Sequence, residues 1–165
     1  MSEHPMNPAV ADPAGSMPGH QVGHADAPVT LPVKERVHVL EQRGPFTERQ
    51  LARIDEAVTM ASRETGLYFS VYVGALNIPT RGHAEQLHAQ LGAIASRAVL
   101  VAVSPGQRVV EVVTGVESGI RLPDRGCALA VLSMTASFGA GDLTGGIVGG
   151  LRMLSDQAGR PGDLR

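Results

Sequence analysis

Residues 98–114 read AVLVAVSPGQRVVEVVT and predict two β-strands joined by a tight turn. The run from Ala98 to Val103 is almost continuously apolar, which is typical of a strand covered on both faces. In the turn Ser104-Pro105-Gly106-Gln107, proline presets φ at the second position and glycine supplies a positive φ at the third. Residues 108–114 then return as a valine-rich strand, so the sequence predicts a hairpin.

A capped helix and a further strand precede this hairpin. Thr47 is an N-cap candidate, and Gln50 three residues later completes a capping box. Apolar residues follow at helical spacing as far as Gly66, which is well placed to end the helix. Residues 67–74 read LYFSVYVG and predict a strand, because aromatic and β-branched residues dominate them. Leu67, Phe69, Val71 and Val73 alternate with Tyr68, Ser70 and Tyr72, which is the period of a strand.

Three more helices are expected around these strands. One follows the loop that contains Pro79 and Gly82, one covers about 126–138, and one covers about 143–157. The fold class is therefore predicted to be α/β, with a mixed β-sheet that contains the Pro-Gly hairpin and is flanked by about four helices.

The composition of the two ends predicts the domain organisation. Residues 1–30 are rich in Pro, Gly, Ala and Ser, and they are expected to form a disordered tail. A single domain is predicted over 31–157, with a flexible tail over 158–165. The short run 37–40, VHVL, is open to two interpretations, an edge strand or an extended lead-in.

Charge and cysteine content exclude several function classes. Fourteen Lys and Arg against sixteen Asp and Glu give a formal charge of −2, which argues against nucleic-acid binding. Cys127 is the single cysteine, so no intrachain disulfide forms, and its apolar neighbours predict a small buried side chain rather than a nucleophile. Neither a secretory signal nor a membrane span is recognised, which predicts a cytoplasmic protein, with peripheral attachment to a membrane as the alternative.

Four carboxylates are the candidate site residues. Glu117 and Asp124 are the candidates for catalysis, and a calcium or magnesium ion could be held by carboxylate oxygens of Glu111, Glu117, Asp124 and Asp142. Structural roles compete with this interpretation. Asp124 and Asp142 are natural helix N-caps, Glu111 could be solvated or paired, and Glu117 lies in a glycine-flanked loop that suits a special backbone geometry.

Glycines and histidines offer weaker hypotheses. The last predicted helix carries Gly145, Gly146, Gly149 and Gly150, which would open a groove for close packing against the sheet or a partner subunit. A phosphate-binding turn from Gly139 is the alternative, although a nucleotide fingerprint follows a strand rather than a helix. His88 is interpreted as a buried, hydrogen-bonded residue, whereas His20, His24, His38 and His83 suggest no site.

The order of these motifs resembles a TPM domain over about 47–154. The resemblance rests on Glu64-Thr65-Gly66 before the strand YFSVYV, on the hairpin, on Gly115-Val116-Glu117, on Leu122-Pro123-Asp124, and on Gly141-Asp142 before the glycine-rich helix. TPM domains include a thylakoid-lumen acid phosphatase and bacterial envelope proteins. Within that family, this sequence resembles the short actinobacterial members.

Departures from the TPM pattern bear on the implied chemistry. TPM domains commonly carry acidic residues in the hairpin turn, where this chain has Ser104-Pro105-Gly106. Such a site would lose a ligand and a negative charge, so its affinity for a divalent cation would fall. Two functions are therefore predicted: a non-enzymatic module that binds a protein or an envelope component, or a weak metal-dependent phosphatase.

Overall fold

The computed structural model describes residues 45–163. Helices and strands alternate in the first part of this range and helices follow, in the order α1 Glu48–Thr65, β1 Tyr68–Val73, α2 Thr80–Ala89, a 3₁₀-helix Gly92–Arg97, β2 Ala98–Ser104, β3 Val109–Thr114, α3 Ser118–Arg121, α4 Asp124–Gly139 and α5 Leu143–Ala158. The predictions about the N-terminal tail, the run 37–40 and His20, His24 and His38 lie outside the described residues.

The three strands form one mixed sheet in the order β1-β2-β3. Strand β1 is parallel to β2, with the crossover α2 between them, and β2 is antiparallel to β3. The predicted α/β class and the hairpin are confirmed. The sheet is flanked by six helical segments within the described range rather than about four, because the short 3₁₀-helix and α3 were not anticipated.

Helices cover both faces of the sheet, which explains why every residue of β2 is buried. Val99, Val101 and Val103 lie in the larger core, which α1, α4 and α5 complete. Leu100 and Ala102 face the other way, into a smaller core with Leu87 and other residues of α2. The continuous apolar run of β2 therefore reflects two covered faces, as predicted.

The capping box predicted for α1 is confirmed. The Thr47 hydroxyl accepts a hydrogen bond from the Gln50 amide at 3.2 Å, and the Gln50 side chain accepts one from the Thr47 amide at 2.9 Å. Gly66 ends the helix in the left-handed conformation, with φ of 70°, which glycine adopts without steric cost. The chain can therefore turn directly from α1 into β1.

The hairpin turn differs from the prediction in which residue takes the positive φ. Gly106 does not have one; Arg108 does, at 56°. The Arg108 amide donates a hydrogen bond to the Pro105 carbonyl at 3.2 Å, and β3 starts one residue later, at Val109. The turn therefore closes one residue further along the chain than the Ser104–Gln107 turn that was predicted.

The glycines of α5 pack against a neighbouring helix rather than the sheet. A Cβ atom at Gly146 would meet the side chains of Phe138 and Ser137, and one at Gly150 would meet Met134, all on α4. Gly149 has no atom within 4 Å of its Cβ position. Two of the four glycines thus serve the α4–α5 contact inside the domain.

The sheet has two distinct ends. We call the end with Tyr68, Ala98 and Thr114 the loop end, because β3 leaves it into the loop before α3. The opposite end, with Val73 and Ser104, is the hairpin end. Among residues 45–163, none of the helices combines the length and apolar character that a membrane span requires.

Candidate functional site

Glu117 lies at the loop end, immediately before α3. Its backbone is ordinary helical, with φ of −79° and ψ of −45°, so the special geometry expected from the flanking glycines is absent. Its side chain is 59% exposed, and a carboxylate oxygen lies 4.0 Å from Nε of Arg97. Glu117 is therefore a solvated carboxylate beside one cation.

Ser118 fixes the loop that carries Glu117. Its buried hydroxyl donates to the Ala98 carbonyl at 2.8 Å and accepts from the Gly115 amide at 2.8 Å. The Glu117 amide donates to the Ser96 carbonyl at 2.9 Å. Gly115 approaches the 3₁₀-helix so closely that a Cβ atom would overlap the carbonyl oxygens of Ala95 and Ser96. Backbone contacts thus hold this loop in one position.

Two arginines that the sequence analysis did not single out complete the loop end. The Arg97 guanidinium lies 5.7 Å from the centroid of the Tyr68 ring and donates to the Gly66 carbonyl at 2.7 Å. Arg121 donates to three carbonyls that close α1 and α5, those of Thr65, Ala158 and Gly159. No local signal in the sequence marks Arg121, because the carbonyls that it binds lie 37 or more residues away along the chain.

Glu111 lies in the middle of β3, on the face covered by α2. One of its oxygens accepts from the Thr80 hydroxyl at 2.9 Å, and the other lies 3.6 Å from the Arg81 guanidinium. The same guanidinium donates to the Val112 carbonyl at 2.7 Å. The interpretation of Glu111 as a paired residue is confirmed, and the pair covers the outer edge of β3.

Asp124 and Asp142 lie at opposite ends of α4. Asp124 is the first residue of α4, and Pro123 is the N-cap without a side-chain hydrogen bond, so the N-cap role predicted for Asp124 is wrong. Asp142 does cap α5, because its carboxylate accepts from the Gly145 amide at 2.8 Å. The 16 residues of α4 separate the two by roughly 24 Å at 1.5 Å per residue.

The four predicted ligands do not form a metal site. Within residues 45–163 there is no group of three or more His, Cys, Asp or Glu side chains that could hold a metal ion. Calcium takes six to eight oxygen ligands, whereas Glu111 is already paired with an arginine and Asp142 with a helix amide. The set Glu111, Glu117, Asp124 and Asp142 therefore does not fit calcium or magnesium. A catalytic role for Glu117 or Asp124 singly stays a prediction.

Large apolar side chains are exposed at the loop end, in the chain on either side of Glu117 and at Tyr68. Val116 is 82% exposed, Ile120 is 69% exposed and Tyr68 is 40% exposed. Val116 and Ile120 are four residues apart across a helical turn, so they share a face. We call Tyr68, Arg97, Val116, Glu117 and Ile120 the loop-end patch.

A family model for a domain of unknown function, DUF5130, matches residues 31–155, which include the whole sheet. The chain belongs to the DUF5130 family. Two uncharacterized proteins of Mycobacterium tuberculosis, from strains CDC 1551 / Oshkosh and H37Rv, are each 33% identical to it over 129 residues. These matches cover 77% of this chain and 72% of each relative.

Solved structures share the fold of this DUF5130 chain at low identity. The N-terminal domain of a P. gingivalis protein has a TM-score of 0.61 at 19% identity, covering 69% of this chain and 76% of that one. The BA42 protein of Bizionia argentinensis has a TM-score of 0.64 at 15% identity, covering 73% and 89%. The N-terminal domain of cg2496 from Corynebacterium glutamicum has 0.58 at 11%, covering 74% and 80%. These likenesses establish the fold alone.

Nucleophile and base candidates in the DUF5130 domain have structural roles. Cys127 is buried in the main core, as predicted, and burial raises the pKa of its thiol, with Asp124 adding to the rise and Arg81 opposing it. The buried His88 ring nitrogen Nε2 lies 3.1 Å from the Ala98 carbonyl, which confirms its interpretation. His83 Nδ1 accepts from the Asn77 amide at 2.8 Å.

Proposed function

We propose that this DUF5130 domain is a non-enzymatic binding module that docks a partner protein on its loop-end patch. The observation that carries the proposal is the exposure of Val116 and Ile120, at 82% and 69%, on a loop that the domain holds rigidly. An exposed apolar group with a polar rim is typical of an interaction surface.

The rigidity of the patch favours binding. Ser118 and Gly115 tie the loop to β2 and the 3₁₀-helix, and Arg121 joins the neighbouring helix ends. A surface that is ordered before binding loses less conformational entropy when a partner docks. Side chains of Val116 and Ile120 can therefore act as anchors at low entropic cost.

The charges of the patch favour a protein as the partner. Its one cation, Arg97, and its one anion, Glu117, lie 4.0 Å apart and balance each other. Phosphate-rich partners such as nucleic acids or anionic membranes need an excess of basic side chains, which the patch lacks. The expected partner presents large apolar side chains and no strong net charge, so its affinity should depend little on salt.

Capture with matched variants tests the proposal. The full chain, the double variant Val116→Asp/Ile120→Asp, and the control Ile78→Asp are immobilised and exposed to lysate of the native host. Ile78 is 86% exposed, in the loop that follows β1, so it is a surface apolar residue outside the patch. The proposal expects one protein held by the wild type and the control and reduced at least tenfold in the double variant, at low and high salt alike.

The phosphatase alternative is tested in parallel on the same chains. A generic phosphomonoester is assayed with and without a chelator. Turnover that the chelator abolishes and that Glu117→Gln removes would establish a metal-dependent enzyme and overturn the non-enzymatic proposal. Capture that is equal in all three chains, or absent from all, would overturn the assignment of the patch.

A further inference from the structure

A cleft of about 510 Å³ opens at the hairpin end, away from the loop-end patch. It lies between the hairpin, which contributes Pro105, Arg108 and Val110, and the corner between α4 and α5, which contributes Phe138 and Leu143. Its volume is within the range of small-molecule sites, and such sites are mostly apolar with a few polar groups that orient the ligand.

The apolar wall of the cleft depends on the contact between α4 and the glycine-rich helix α5. Phe138 lines the cleft and packs against Gly146, where any side chain would overlap the ring. The missing side chain at Gly146 thus lets Phe138 lie back against α5. The ring, with Val110 and Leu143, offers a surface for a hydrocarbon or aromatic body.

One charged side chain, that of Arg108, is present among the residues that line the cleft. Arg108 is exposed, and within the described part of the chain its guanidinium has no ion pair or hydrogen bond, as is also true of exposed arginines such as Arg125. Arg108 also holds φ at 56°, where a non-glycine residue costs roughly 1–2 kcal/mol. No protein group among the described residues binds this exposed guanidinium, so it is available to a ligand.

The local charge selects between kinds of anion. Asp142 lies between Gly141 and Leu143, both of which line the cleft. Its carboxylate already accepts a hydrogen bond from the Gly145 amide in the first turn of α5. A polyphosphate would meet one cation and a neighbouring carboxylate, which disfavours it. A single carboxylate needs one guanidinium, which can bind it through two parallel hydrogen bonds.

We infer that this cleft binds a small monocarboxylate with an apolar body, with Arg108 holding the carboxylate and Phe138, Val110 and Leu143 contacting the body. The inference concerns a different surface from the protein-docking patch and does not depend on it. Nucleotide binding at the Gly139–Gly146 turn is the competing outcome.

Titrations followed by NMR on the full chain test this inference. The probes are 4-phenylbutyrate, its uncharged amide, inorganic phosphate and ATP. The expected result is chemical-shift change confined to the hairpin and the α4–α5 corner, with a Kd on the order of 1 mM for a probe of this size. The amide should bind at least fivefold more weakly than the acid.

Three variants separate the role of Arg108 from general effects on folding. Arg108→Gln should weaken the acid to the level of the amide, and Arg108→Gly should do the same while raising Tm, because glycine relieves the positive φ. Arg125→Gln, an exposed arginine on the first turn of α4, is the matched control and should bind like the wild type. The inference would be overturned if the acid and the amide bound equally, if neither of them bound, or if their shifts lay outside the cleft. Preferred binding of phosphate or ATP would overturn it as well.

Discussion

At the loop end of the sheet, polar side chains bond to the protein itself, whereas at the hairpin end a cation faces an open cleft. Ser118 and Arg121 satisfy backbone groups from four segments of the chain. Arg108 satisfies none with its side chain. Glu117 drew attention to the loop end, yet its neighbours there stabilise the fold, and the residues that line the cavity at the hairpin end include no acidic side chain.

The largest difference between the two ends is expected when one methyl group is added at Gly115. In Gly115→Ala the new Cβ would overlap the backbone carbonyls of Ala95 and Ser96, which cannot rotate away. We expect the free energy of unfolding to fall by about 3 kcal/mol, measured from urea denaturation.

Gly106→Ala at the hairpin end is the control for this substitution. No atom lies within 4 Å of its Cβ position, and its φ is not positive. We expect a change below about 0.5 kcal/mol. Similar losses at the two glycines would mean that the loop end is no more tightly built than the hairpin end.

Two buried serines give the next comparison. Ser118→Ala removes both a partner of the Gly115 amide and a donor to the Ala98 carbonyl, so it should cost about 2 kcal/mol in urea denaturation. Ser104→Ala at the hairpin end should cost about 1 kcal/mol or less. The Gln107 oxygen that Ser104 donates to also accepts from the Leu76 amide at 2.8 Å, so it keeps a partner. If Ser104→Ala lost more unfolding free energy than Ser118→Ala, the hairpin end would be the end that depends more on its side-chain hydrogen bonds.

Much of the fold follows from local patterns in the sequence. The capping box of Thr47 and Gln50, the left-handed Gly66 and the apolar run of β2 each encode one element without help from distant residues. The predicted hairpin turn lies one residue too early, because proline and glycine at 105 and 106 are compatible with more than one turn, and the chain adopts the one with Arg108 at positive φ.

The site was harder to predict because its determinants are long-range. Ser118 bonds to a carbonyl 20 residues away, and Arg121 to one 56 residues away, and no local pattern reports such contacts. Carboxylates at strand ends looked similar in the sequence, but the length of α4 separates Asp124 from Asp142. The cleft depends on how Phe138 meets Gly146 across two helices, which spacing alone does not reveal.

The two faces of α5 give a comparison of smaller effect. Gly149→Ala places a methyl group in open space and should stabilise the domain by up to about 1 kcal/mol, because alanine favours the helix. In Gly150→Ala the new methyl group would press on the Met134 side chain, so the domain should be destabilised by about 1 kcal/mol. Thermal denaturation of both variants measures the difference. Two stabilised variants would show that Met134 moves aside freely and that α4 and α5 are loosely packed.

The smallest effect concerns Cys127, near the start of α4. Burial raises the pKa of its thiol, so the unfolded chain releases this proton at lower pH than the folded domain, from about pH 8.5. The stability due to the neutral thiol is complete below that pH and is lost as pH rises toward the folded-state pKa. Between pH 8 and pH 10, the wild type should therefore lose more unfolding free energy in urea than Cys127→Ala does. If both chains lost unfolding free energy equally, or if iodoacetamide alkylated the folded and unfolded chains at equal rates, the Cys127 thiolate would be accessible. Cys127 would then be a candidate nucleophile.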